Sequence, residues 1–177
     1  MSHSKQGLTA TDLDAKLMDL GGVNALHAAF GDQAWPVLRK QYLSLGYSEG
    51  VARLTRLASA GTFDPTAFRA DPVEGVRAWL QGFFDDRGTA MPDIWRDGRT
   101  VFLRTKACKQ CLTVDAEAKR PVPHGEICFA YCRAWAEGYV EAVADLFPGV
   151  IVHYHNEDSR RAGADHDCVE AFQVVSP

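Results

Sequence analysis

The chain has 177 residues, 46% hydrophobic and 24% charged, with a formal net charge of −4. That length and composition suit one globular domain with its own core and no need of disulfide staples. There is no Lys/Arg block and no apolar run of ~20 residues, which argues against direct nucleic-acid binding and against a bilayer span.

The opening MSHSKQGLTA has no apolar segment after Lys5 and does not read as a signal peptide. A cytoplasmic protein is the expectation, so its five cysteines read as thiols, metal ligands or redox groups rather than disulfides. Residues 1–10 read as a flexible N-terminus and 11–177 as a single domain.

The first half has helical periodicity. In TDLDAKLMDL, Thr11 and Asp14 resemble a capping box and Leu13, Leu17 and Leu20 form a stripe that Gly21-Gly22 is expected to stop. A second segment runs from about Val23 to Phe30. Trp35, Leu38, Tyr42 and Leu45 predict a third helix, ended by Gly46. Val51, Leu54, Leu57 and Ala58 predict a fourth, ended near Gly61. After TFDPTAFRADP a further helix carries Val76, Trp79, Phe83 and Phe84.

The period then changes. WRDGRTVFLRT combines an Asp97-Gly98 turn signal with alternation, Val101, Leu103 and Thr105 against Phe102 and Arg104, and predicts a hairpin. A late helix, opened by proline and closed at Pro148-Gly149, precedes two strands, VIVHYHNED and DCVEAFQVV. The fold class expected is α+β: a helical N-terminal half, then an antiparallel sheet with one late helix packed on it.

All five cysteines, with His124, His153, His155 and His166, fall between 108 and 168. Cys108 and Cys111 have the bite of a metal chelate or a redox couple. Cys128, Cys132, Trp135, Tyr139, Val143 and Leu146 share one helical face, where a thiol also serves as plain packing. His153 and His155 share one strand face, and a turn near Arg161–Ala162 would set His155 opposite Cys168 and His153 opposite Glu170. The strand ending at Lys106 is expected beside the strand at 168–174, gathering Cys108, Cys111 and Cys128 with Cys168. The candidate metal ligands are therefore Cys108, Cys111, Cys128, Cys168, His155 and His166, for zinc or iron. Trp79, Phe83, Trp135 and Tyr139 are the candidate lining of an apolar or aromatic pocket, and they suit an ordinary core equally well. No G-x-S-x-G, P-loop, H-E-x-x-H or G-x-G-x-x-G motif is present.

Three stretches resemble the 4-vinyl reductase domain family, whose members include sensor domains of phenol-responsive transcription activators. FGDQAWPVLRKQYLSLGYSEG places Gly31, Ala34, Gly46 and Gly50 as that family does. ICFAYCRAWAEGYVEAV is similar to its helix that begins near a cysteine, here Cys128, and holds a glycine, here Gly138. RRAGADHDCVEAFQV is similar to its closing hairpin, with Gly163 and Cys168, and also resembles the end of the L-2-amino-thiazoline-4-carboxylate hydrolase family. The resemblance covers about residues 23–176. It implies a 4-vinyl-reductase-like domain with a pocket between helices and sheet, and a pairing into homodimers. It also implies a zinc site, carried here by Cys128, Glu157 and Cys168. Arg160 stands near the place of the remaining ligand, so His155, His166 or the Cys108/Cys111 pair would have to complete the site.

The function expected is a small-molecule-binding domain with a Cys/His metal site. The alternative is a small-molecule enzyme, either a hydrolase using a cysteine nucleophile with His124, His155 or His166 as base, or a metal-assisted one.

Overall fold

The structure, a computed structural model, describes residues 20–86, 92–105, 126, 128–147, 149–158 and 167–175. Helix α1 (Leu20–Phe30) leads through a short 3-10 turn (Gly31–Gln33) into the long α2 (Ala34–Ser59), followed by α3 (Pro65–Ala70) and α4 (Pro72–Asp85). Strands β1 (Asp93–Asp97) and β2 (Thr100–Thr105) come next. A π-helical turn (Phe129–Arg133) then runs into α5 (Ala134–Leu146), and β3 (Ile151–Asp158) and β4 (Cys168–Val175) close the chain. The architecture is α+β, with a helical first half, a four-stranded antiparallel sheet in the order β1-β2-β4-β3, and the late helix packed against it.

Two Asp-Pro pairs start helices. Asp64 accepts hydrogen bonds from the Thr66 and Ala67 amides at 2.8 and 3.1 Å, and Asp71 accepts one from the Glu74 amide at 3.1 Å. Each aspartate is an N-cap, and the following proline sits at a first-turn position where no amide hydrogen is needed. This chemistry makes a short helix, α3, within TFDPTAFRADP.

Gly46 does not end a helix, and neither does Gly21-Gly22. The latter pair lies inside the first turn of α1, and α2 runs unbroken through Gly46 and Gly50 to Ser59. These two glycines let α5 approach. A Cβ on Gly46 would collide with the Trp135 carbonyl, one on Gly50 would crowd Ala142 and the Tyr139 carbonyl, and one on Gly138 would collide with the Leu43 carbonyl. Small residues on both helices bring the two backbones together, and that need outweighs the low helix propensity of glycine. Gly61, with φ +65°, follows the end of α2 as expected, and Gly98, with φ +56°, makes the two-residue turn between β1 and β2.

Helices α4 and α5 lie on one face of the sheet, and α2 packs on the outer side of α5. The core between them is formed by Val76, Trp79, Leu80, Val101, Leu103, Tyr139, Val140, Val143, Phe172 and Val174. A second apolar cluster joins Val23, Trp35, Leu38 and Tyr42 to Ala130 and Ala134 at the π turn.

The β3–β4 register corrects the expected histidine partners. His155 pairs with Ala171 and His153 with Gln173, while Asn156 faces Glu170 and a bulge follows before Asp158. The pairing lies three residues further along β4 than expected, and this odd shift puts Cys168 on the face opposite the histidines. Thr105 does pair with Cys168, so β2 ends beside that cysteine as expected.

Candidate functional site

Trp79 and Phe83 on α4 and Trp135 and Tyr139 on α5 stand one helical turn apart on their own helices and meet across the α4–α5 contact. Trp79 and Trp135 each stack on Tyr139, with ring centroids 5.1 and 4.9 Å apart and planes within 24° and 16°. Phe83 closes on Trp135 at 4.9 Å and on Tyr139 at 5.2 Å. Trp79 and Tyr139 are buried at 4% and 1% exposure, whereas Phe83 and Trp135 are half-buried and form the open side of the cluster. The four candidate pocket residues therefore do come together, as rings packed on one another.

A buried cation stands behind them. Arg53 of α2 is 4% exposed, the one buried charged residue among the described residues. Its Nη1 donates to the Trp79 carbonyl at 2.6 Å and to the Tyr139 hydroxyl at 3.0 Å. Its Nε donates to Asp86 at 2.9 Å, and its guanidinium lies 4.3 Å from the Trp79 ring centre. Gly82 makes room for it, since a Cβ there would collide with Nη2. Two indole N–H groups in the same cluster, Nε1 of Trp79 and Nε1 of Trp135, are buried without an acceptor among the described residues.

The second cluster, a thiol corner, lies where the π turn meets the end of the sheet. Cys128 precedes the π turn, a feature that often marks functional positions in helices. By strand alternation, Tyr154, Asn156, Cys168 and Glu170 share the inner face of the sheet with Phe172 and Val174. The Tyr154 hydroxyl donates to Glu170 at 2.6 Å. Asn156 Nδ2 lies 3.6 Å from Cys168 Sγ and 3.4 Å from the Val169 carbonyl, and its Oδ1 is buried without a donor among the described residues. Burial holds the Tyr154 phenol well above its usual range, and the Glu170 carboxylate and then the Cys128 and Cys168 thiols add to the effect. Cys128 and Cys168 are thus both electrostatic neighbours of one hydroxyl.

His155 does not join them. It is exposed on the outer face, 2.7 Å from Glu157, which is itself exposed beside the bulge. The Cys168–His155 cross-strand pairing expected from the sequence is not formed. Cys108, Cys111, His124 and His166 lie outside the described residues. Among the described residues no group of three or more His, Cys, Asp or Glu side chains is placed to hold a metal ion. Cys128 and Cys168 alone would not make a zinc site, which takes four ligands when structural.

Sequence reasoning missed Arg53, Tyr154, Asn156 and Glu170. Arg53 did leave a signal, because Gly46, Gly50 and Arg53 fall at steps of four and three on the face that meets α5. Tyr154 and Glu170 needed the register, which no local pattern fixes.

No family model and no curated protein matches the chain. Among solved structures it is similar to a trafficking protein particle complex subunit 3 from Naegleria fowleri, covalently bound to palmitic acid. The TM-score is 0.57 and the identity 12%, over 94% of this chain and 98% of that one. At this identity the likeness shows a shared fold.

Proposed function

We propose that this chain is a small-molecule-binding domain of the 4-vinyl-reductase-like kind, taking up an apolar or aromatic molecule at the Trp79–Phe83–Trp135–Tyr139 cluster. The observation that carries the reading is the pair of buried indole N–H groups without acceptors among the described residues. Leaving a donor buried and unpaired costs roughly 1–3 kcal/mol, so a ligand that inserts past Phe83 and brings an acceptor gains both ring contacts and hydrogen bonds. The covalently bound palmitic acid of the Naegleria subunit is in keeping with a fold that can house an apolar chain.

The test is a titration with decanoate and decanamide, followed by tryptophan fluorescence. Saturable binding that weakens in Trp79→Phe, which keeps an aromatic ring and removes the N–H, is the expected result. No binding of either compound would end this reading.

The proposal extends to zinc or iron at the thiol corner. Support comes from the convergence of Cys128 and Cys168 on Tyr154, and from β2 leading out beside Cys168 toward Cys108 and Cys111. Elemental analysis of protein purified without chelator should find about one ion per chain, on the usual stoichiometry of such sites. Finding none, with all the thiols titratable, would remove the metal from the proposal. A cytoplasmic homodimer completes the reading. No helix among the described residues is long and apolar enough to cross a membrane, and exposed Val37 and Leu45 border a groove on α2 with Lys40 and Gln41. A monomeric mass by light scattering would count against the dimer.

A further inference from the structure

We infer that the ligand of the aromatic cluster is an anion, an apolar molecule bearing a carboxylate or a phenolate, and that Arg53 selects it; this rests on the binding reading proposed above. Trp79 Nε1 and Trp135 Nε1 are donors, and a neutral hydrocarbon would leave both unpaired. Arg53 adds a charge that is nearly fully buried. Its carboxylate partner Asp86 is shared, at 2.9 Å from Arg53 and 4.0 Å from Arg56, so two guanidinium groups divide one carboxylate. The side chain of Asp86 is 41% exposed, and solvent screens it more than it screens Arg53. The buried charge beside the rings is therefore balanced by a carboxylate that is shared and partly screened by solvent.

The hydrogen-bond inventory of Arg53 points the same way. Nε and Nη1 are engaged with Asp86, Trp79 and Tyr139. Nη2 sits against Gly82, where a side chain would collide with it. A guanidinium presents five donors and the bonds to Asp86, Trp79 and Tyr139 use three, so the group has capacity for a carboxylate or phenolate oxygen. The arginine is also locked in place, with its plane over Trp79 and its Nη1 bound to α4 and α5 at once. Such a group recognises an anion with little further ordering.

The experiment compares decanoate with decanamide, matched in chain length and differing in charge, at pH 8 and low salt. Decanoate should bind about tenfold tighter, the worth of one charge-assisted hydrogen bond. Asp86→Asn, which removes the shared carboxylate from a partly exposed position, should widen that ratio. Arg53→Gln should collapse it toward one. If the wild-type protein binds both compounds equally, the anion inference is overturned and the pocket stands. If neither binds, both fall. A preference for decanoate left unchanged by Asp86→Asn and by Arg53→Gln would overturn the assignment to Arg53.

Discussion

The aromatic cluster and the thiol corner both draw on the late helical segment, a few residues apart, and both contain buried polar atoms without partners among the described residues. At the aromatic cluster those atoms are indole N–H donors, backed by the Arg53 guanidinium. At the corner the unpaired atom is the acceptor Asn156 Oδ1, set among two thiols, the Glu170 carboxylate and the Tyr154 phenol. Burial in low dielectric sharpens both patterns. A donor-rich cluster favours an anion and an acceptor-rich one favours a cation, so the two sites proposed above would differ in preference. The π turn separates them, because it shifts the phase of the helix between Cys128 and Trp135.

The strongest way to break the comparison is to disturb the seam that orders both regions. Gly46→Ala drives a Cβ into the backbone of Trp135, where no flexible side chain can yield. We expect a loss of about 3 kcal/mol in urea unfolding, the upper range for overpacked sites. Ligand binding and thiol reactivity should change together. If only one changed, the two regions would not share this support.

Tyr154→Phe acts on the corner alone. It strips Glu170 of a buried donor and should cost about 2 kcal/mol, within the range for hydrogen bonds to charged groups. The same variant should remove a late-titrating tyrosine from an absorbance titration above pH 10, since burial and Glu170 hold that phenol up. Decanoate binding should not move.

Much of the fold could be read in advance. The α+β class, the β1–β2 hairpin, the strand limits and the meeting of Trp79, Phe83, Trp135 and Tyr139 follow from periodicities of 3.6 and 2. What failed was whatever depends on a distant partner. Gly46 looks like a helix stop until α5 is laid across it. His155 and Cys168 look like cross-strand partners until the bulge and register are known. Arg53 reads as one more surface arginine until Trp79 and Tyr139 enclose it. The Asp-Pro caps were local and could have been found, since each pairs a capping side chain with a residue that needs no amide hydrogen.

Cys132→Ala separates the two kinds of thiol. Cys132 is half-buried within the π turn, and it is not among the groups that hold the Tyr154 phenol up. Its loss should cost about 1 kcal/mol as a small cavity and leave any bound metal in place, whereas Cys168→Ser should release it. Metal lost from Cys132→Ala and kept by Cys168→Ser would reverse the roles.

The smallest effect belongs to a carboxylate outside both regions. Asp71 caps α4 at the end opposite Asp86 and bonds Arg96 of β1 at 2.8 Å. The hydrogen bond from Arg96 lowers its pKa below the ordinary 3.8, and the backbone bond from Glu74 adds to this. A carboxyl with a depressed folded-state pKa stabilises the fold above its unfolded pKa, and that contribution fades as pH falls through the folded value. The loss should therefore appear below about pH 4 and be absent at neutral pH. Asp71→Asn keeps a capping oxygen and removes the charge, so it should lower stability at pH 7 by only about 0.5 kcal/mol, as expected for an exposed ion pair. Between pH 5 and pH 3 the variant should lose less of its urea midpoint than the wild type. Because neither cluster contains Asp71, the preference for decanoate over decanamide should be the same in both proteins at pH 8. A changed preference would mean that the charge around Arg53 is set by more of α4 than its last turn, and the contrast between the two regions would have to be redrawn.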